Sequence, residues 1–165
     1  MKNLIFSLIF AFILIGCGNG SRHHMTLNDK NGFDTTYDTA KKELKIVGWD
    51  KPYMLFFFST MCGACESQVP IINELIKEYD GKIKVYGVMG DTTGYDGDIF
   101  TLKEKGISFM STSAPKSVSY LSSVVGGVMG TPVTYIFDKN GKKIKQFLGL
   151  YPKSAFENEL KLLLD

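Results

Sequence analysis

Apolar and polar positions divide the chain into three stretches. Leu4 to Ile15 is an almost unbroken apolar run behind Lys2, residues 18 to about 36 are polar and glycine-rich, and from Tyr37 onward apolar residues recur with the periods of strands and helices. Within the periodic part, Asp38–Leu44 predicts a short capped helix, although Leu44–Val47 can equally open a strand. Tyr53–Ser59 is continuously apolar, the pattern of a strand buried on both faces in a parallel or mixed sheet covered by helices. Cys62–Tyr79 predicts the main helix, with Val69, Ile72, Leu75, Ile76 and Tyr79 on one side, a kink at Pro70, and a stop at Asp80-Gly81. A strand over Ile83–Met89 follows. Then come a loop over Gly90–Gly97, a helix over Asp98–Lys105, a short strand over Ile107–Met110 and a helix over Pro115–Val124. Val133–Phe137 and Lys143–Leu148, joined through Asp138-Lys139-Asn140-Gly141, predict an antiparallel hairpin. Ser154–Leu164 predicts a closing amphipathic helix, with Ser154 as N-cap and Glu157 completing a capping box.

The first apolar run is too short to cross a bilayer comfortably. It fits the core of a secretory signal peptide. It ends in Leu14-Ile15-Gly16-Cys17, which resembles the lipobox of bacterial lipoproteins, and that resemblance implies cleavage after residue 16 and lipidation of Cys17. The expected organisation is a signal peptide over 1–16, a lipidated flexible tether over 17–36 and one folded domain over 37–165. A tether of that length would span on the order of 20–25 Å. Export places the remaining cysteines in an extracytoplasmic redox environment. The expected location is therefore outside the cytoplasm, on the periplasmic face, with a lipid anchor in a bacterial membrane.

Composition narrows the functional classes. The 165-residue chain has a formal net charge of +2, and hydrophobic and aromatic contents of 44% and 13% suit a globular domain. So small a charge gives no basis for nucleic-acid binding. There are three cysteines and two histidines. With Cys17 assigned to the N-terminus, one cysteine pair is left, too few ligands for a closed zinc site. No metal and no cofactor are expected, and His23 and His24, adjacent in the polar stretch, are assigned no role.

The remaining pair lies in Phe56-Phe57-Phe58-Ser59-Thr60-Met61-Cys62-Gly63-Ala64-Cys65, where an apolar strand runs into Cys-x-x-Cys and a helix begins at once. A thiol at a helix N-terminus meets free backbone N–H groups and the positive end of the helix dipole, which favour its thiolate. The second thiol is one turn away and within reach of the first. The pattern points to thiol–disulfide exchange. A purely structural disulfide is the rival reading, but so short a loop restrains the unfolded chain little.

Five landmarks in order support a wider resemblance: the strand followed by Cys62-Gly63-Ala64-Cys65, Pro70 five residues later, Tyr79-Asp80-Gly81-Lys82, Gly130-Thr131-Pro132, and Lys139-Asn140-Gly141-Lys142. With them, residues 37–165 resemble the thioredoxin superfamily, and within it the membrane-anchored TlpA/ResA-type proteins, whose insertion the segment over residues 90–115 also resembles. The resemblance implies an α/β, three-layer sandwich with a central mixed sheet flanked by helices. It implies that Cys62 attacks, that Cys65 resolves, that Pro132 is a cis-proline facing the sulfurs, and that the Thr131 backbone pairs with substrate. It also implies protein thiol or disulfide substrates, among them apocytochrome c, and a membrane reductase as electron donor. A monomer is expected.

The chain departs from that pattern where proton transfer is concerned. The usual buried acid is replaced by Phe56, its basic counterpart by Gly87, and the glutamate after the second cysteine by Gln68. Glu66 is then the nearest carboxylate to Cys65 in sequence and the remaining candidate for proton transfer. The same two cysteines can run as an oxidase or isomerase, because reduction potential sets direction. A pair of thiolates can also hold Cu(I), which keeps a metallochaperone open as an alternative.

Overall fold

The computed structural model describes residues 20–164. Its elements in chain order are strands β1 (Gly20–Thr26), β2 (Gly32–Asp38), β3 (Glu43–Ile46) and β4 (Tyr53–Phe58), then helix α1 (Gly63–Glu78) and strand β5 (Lys84–Met89). Helix α2 (Tyr95–Glu104), strand β6 (Met110–Thr112) and helix α3 (Pro115–Val125) follow. The chain closes with β7 (Val133–Phe137), β8 (Lys143–Leu148) and α4 (Lys153–Leu164).

The central sheet has the order β6-β5-β4-β7-β8. β4 pairs in parallel with β5 and antiparallel with β7, so the sheet is mixed. All six residues of β4 are buried. Because side chains alternate across a strand, Met54, Phe56 and Phe58 face one core with Ile72, Leu75, Phe156 and Leu160 of α1 and α4. Tyr53, Leu55 and Phe57 face a second core with Leu121 and Val125 of α3 and with Met25, Leu44 and Ile46. The expected three-layer α/β sandwich is thus observed.

The lost ion pair of the family pattern has a steric explanation. Phe56 sits opposite Gly87 on β5. A Cβ at Gly87 would fall 2.8 Å from the Phe109 ring and 2.9 Å from the Phe58 ring. Phe56, Phe58 and Phe109 pack edge to face and stacked, with centroids 5.3 to 6.3 Å apart. Aromatic volume fills the space that a charged pair would need.

Residues 20–36, expected within a flexible tether, form β1 and β2 instead. With β3 they make a second, antiparallel sheet, and Met25, Leu27 and Thr35 are buried. The alternation through His23-His24-Met25-Thr26-Leu27 is short and polar-rich, and what settles it is docking against distant residues. Asn28 donates to the Ser113 hydroxyl at 2.8 Å and accepts from the Ser113 amide at 2.8 Å. The Asn28 amide also donates to the Ser111 carbonyl. Residues 1–19, which hold the expected signal peptide and Cys17, lie outside the described residues.

The helix predicted at Asp38–Leu44 is a turn leading into β3. Asp38 accepts from the amides of Ala40 (2.9 Å) and Lys41 (3.0 Å), so the side chain that suits a helix cap closes a tight turn instead. Ser154 is not an N-cap, because α4 already includes Lys153, and Glu157 pairs with the Lys153 ammonium at 3.5 Å. The short third parallel strand lies at Met110–Thr112 rather than Ile107–Met110. α1 runs through Pro70 from Gly63 to Glu78.

One buried carboxylate fixes the β5–α2 connection. Burial raises the Asp98 pKa, but bonds from the hydroxyls of Ser113 (2.5 Å) and Thr92 (2.5 Å) and from the Thr93 amide (2.7 Å) outweigh it and hold the carboxyl below the usual carboxylate range. A carboxyl whose native pKa is depressed adds stability above its unfolded pKa and loses it as pH falls through the native value. Asp98→Asn should therefore flatten the acid limb of stability below about pH 4. Urea midpoints across that range would show it, and identical pH slopes for the two proteins would contradict it.

Candidate active site

α1 begins where β4 ends, and its N-cap is Cys62. The Cys62 sulfur accepts the Cys65 amide at 3.1 Å, taking the place that a serine or aspartate oxygen fills at an ordinary N-cap. The two cysteines are joined as a disulfide, with Cα atoms 5.2 Å apart. Cys62 is half-buried, whereas Cys65 is 1% exposed. Only the Cys62 side of the bridge can meet a macromolecular substrate.

The loop after α3 brings a second group to the same sulfur. The Thr131 carbonyl oxygen lies 3.6 Å from the Cys62 sulfur, and the Thr131–Pro132 bond is cis, as the resemblance implied. Thr131 is exposed and Pro132 buried. When the bridge is reduced, two influences compete at Cys62. The Cys65 amide and the helix N-terminus favour the thiolate, whereas the Thr131 carbonyl can accept a thiol proton and favours the neutral form. The Cys65 amide and the free N–H groups of the helix start are the donors that a thiolate at Cys62 would meet.

Beside Thr131 runs an open groove of about 430 Å³ bordered by Gly127, Met129, Gln146 and Leu148. Met61, Met129 and Leu148 are exposed large apolar side chains, at 88%, 106% and 65%. Met129 and Leu148 along the groove, and Met61 beside Cys62 in the chain, offer dry contact area to an incoming chain.

Glu66 follows Cys65 on α1. Its carboxylate pairs with the Lys105 ammonium at 3.3 Å and is largely exposed, so the pair itself adds little stability. Both residues line a narrow crevice that reaches Cys65 between Thr60, Val69 and Ile107. The crevice holds about 10 Å³, space for about one water. Glu66 therefore sits at the mouth of a route to the buried thiol rather than against it.

Two positioning contacts were not readable in the sequence. Gln68, fully buried, donates to the Tyr151 carbonyl at 3.2 Å and accepts the Tyr151 amide at 2.8 Å. A glutamate cannot make both bonds when ionised, so the amide is what this contact requires. Asp91, at the end of β5, accepts the Thr60 amide at 3.1 Å and the Thr60 hydroxyl at 2.6 Å, holding the turn that delivers Cys62. Each pairing joins residues far apart in the chain, and neither has a local sequence signature. His23 stacks on Tyr120 and His24 pairs with Asp34 at 2.8 Å, well removed from the cysteines in the small sheet. Among the described residues no group of three or more His, Cys, Asp or Glu is placed to hold a metal ion.

Comparison with known proteins agrees with this geometry. The thioredoxin-like domain family matches residues 39–164. The thiol-disulfide oxidoreductase ResA of Bacillus thuringiensis (strain Al Hakam) is 28% identical over 173 residues, covering 97% of this chain and 96% of that protein. A thiol:disulfide interchange protein of Chlorobium tepidum TLS superposes with a TM-score of 0.67 at 20% identity, over 87% of this chain and 94% of that one. StoA from Bacillus subtilis superposes with a TM-score of 0.64 at 11% identity, over 84% and 95%.

The unequal burial and the N-cap position of Cys62 predict the order of alkylation. After reduction, iodoacetamide at neutral pH should modify Cys62 before Cys65 by on the order of tenfold or more. Peptide mass spectrometry reads the order directly, and faster labelling of Cys65 would contradict the assignment.

Proposed function

From a chain that belongs to the thioredoxin-like domain family, and to the thiol–disulfide oxidoreductases within it, we propose an extracytoplasmic enzyme, lipid-anchored at Cys17, that reduces disulfides of exported proteins. The observation that carries the reading is the Cys62 sulfur at the N-cap of α1, receiving the Cys65 amide with the Thr131 carbonyl beside it. The likeness to ResA-type proteins over nearly the whole chain favours the reducing direction. It also suggests apocytochrome c thiols awaiting haem among the clients. The anchor rests on Leu14-Ile15-Gly16-Cys17 and on nothing further.

In the reaction, the Cys62 thiolate attacks one sulfur of a client disulfide. The client S–S bond breaks, a mixed disulfide forms on Cys62, and the first client sulfur leaves as a thiolate that takes up a proton. Cys65 then loses its proton and attacks the Cys62 sulfur, so the mixed disulfide breaks and the second client thiolate leaves. Two electrons pass from the cysteine pair to the client, and the Cys62–Cys65 bridge seen here is the product state of the enzyme. A two-electron thiol donor, proposed as a membrane reductase, must restore the dithiol.

Particular residues serve the steps. The groove along Thr131 lets the client backbone lie extended past Cys62, with Met61, Met129 and Leu148 against its side chains. Glu66 is proposed to take the Cys65 proton through a single water in the crevice, since it lines that crevice with Cys65 and Phe56, Gly87 and Gln68 replace the acid–base groups of the family pattern. Gln68 and Asp91 hold the helix start and its turn in place, and they carry no proton themselves.

Cys65→Ala tests the central step, because it removes the resolving thiol and leaves the attacking one. Clients should accumulate as mixed disulfides on Cys62, visible as reducible adducts, and turnover of a model disulfide should fall on the order of 100-fold or more. Adducts absent from Cys65→Ala cells, or equally abundant when Cys62 is replaced as well, would contradict the reading.

A further inference from the structure

The geometry points to a lysine-bearing end of the domain, opposite the cysteines, that rests on the anionic lipid surface to which Cys17 is tied; the inference builds on the proposed anchoring. Three covalent steps separate Cys17 from Gly20, a reach of at most about 11 Å. Gly20 pairs with Asp38 in the β1–β2 hairpin, so the chain leaves the domain beside the turn over residues 39–42. Once residues 20–36 are strands rather than tether, the anchor leaves this end of the molecule little freedom to move away from a bilayer.

That end is basic. Lys41 and Lys42 are exposed on the 39–42 turn, and Lys139, Lys142 and Lys143 are exposed on the β7–β8 turn. The two turns meet, because the Leu44 amide donates to the Gly141 carbonyl at 2.8 Å and Glu43 pairs with Lys142. Four of these lysines border a shallow groove of about 390 Å³ with Tyr37 and the last turn of α3. The carboxylates nearby are Asp38, Glu43 and Asp138. Asp38 and Asp138 take turn amides, Asp138 those of Asn140 at 2.8 Å and Lys142 at 2.9 Å, and Asp38 also lies 4.0 Å from the Lys41 ammonium. The Lys143 ammonium donates to the Val125 carbonyl at 3.0 Å, so Lys41, Lys42, Lys139 and Lys142 are the four that face these three carboxylates on the surface nearest the anchor. Basic residues near a bilayer gain affinity from anionic headgroups.

The register places the redox site at the far end. Phe137, which leads into the lysine turn, lies beside Tyr53 at the start of β4, and Val133, which follows Pro132, lies beside Phe57 near its end. β4 then continues to Cys62. Five strand steps make the separation on the order of 17 Å before the loops are added. A domain seated on its lysine end presents Cys62 and Thr131 away from the bilayer, towards clients and donor domains in the aqueous space.

The test uses the full acylated chain, purified from membranes and reconstituted in phosphatidylcholine vesicles with or without phosphatidylglycerol. Acetylation of lysines is followed by mass spectrometry, together with alkylation of reduced Cys62. Lys41, Lys42, Lys139 and Lys142 should react on the order of fivefold more slowly on the anionic vesicles. Lys103, exposed on α2, and Cys62 should react equally on both. Equal acetylation of the four lysines on both lipids, or protection of Cys62 on the anionic ones, would overturn the inference. The mass of the Cys17 peptide reports separately on the anchor. If Cys17 is unacylated, the anchoring fails, and sedimentation of the full chain with the two vesicle types decides the surface: binding to the anionic vesicles alone supports it, and no binding to either overturns it.

Discussion

The structure depends on a strand buried on both faces that ends where a helix must begin. Six consecutive apolar side chains in β4 are shielded by α1 and α4 on one side and by α3 and the small sheet on the other. Burying side chains of this size removes on the order of 1.5–3 kcal/mol of apolar exposure each, and so pins the strand in register. Four residues later Cys62 receives the first free amides of α1. Its position is therefore set by the best-packed part of the molecule, although the sulfur itself is at the surface. A nucleophile held this way needs no induced rearrangement to meet a substrate sulfur.

Around that constraint the chain has exchanged charge for packing and amide contacts. Where the family pattern has a buried ion pair, Phe56 faces Gly87 beneath Phe58 and Phe109. Where it has a carboxylate on α1, Gln68 joins the helix to the β8–α4 loop through both atoms of its amide. Each exchange avoids a buried charge and its desolvation penalty. What remains beside Cys65 is the crevice that Glu66 and Lys105 line.

Much of this was legible in the chain. An uninterrupted apolar run marked β4 because burial on both faces leaves no polar position, β5 and β7 were marked by runs broken only at Lys84, Gly87 and Thr134, and the Cys-x-x-Cys pair declared its chemistry by where it sits. The N-terminal strands were not legible, since Gly20–Asp38 is short, polar and glycine-bearing and becomes ordered through Asn28, Ser111 and Ser113 some 85 residues away. The Asp38 turn failed for a related reason: an aspartate that accepts two following amides suits a helix start and a tight turn equally. Gln68 and Asp91 were invisible as positioning residues because their partners are set by the fold.

Cys62 and Cys65 are proposed to form a reducing couple. The two residues between them, Gly63 and Ala64, add neither charge nor imidazole to stabilise the reduced thiolate, and that stabilisation is what produces a strong oxidant. The reduction potential of the purified pair, equilibrated against glutathione or dithiothreitol buffers, tests this most directly. The expected value is near that of thioredoxin, roughly −270 mV. A value near −120 mV, characteristic of a strong periplasmic oxidant, would contradict it.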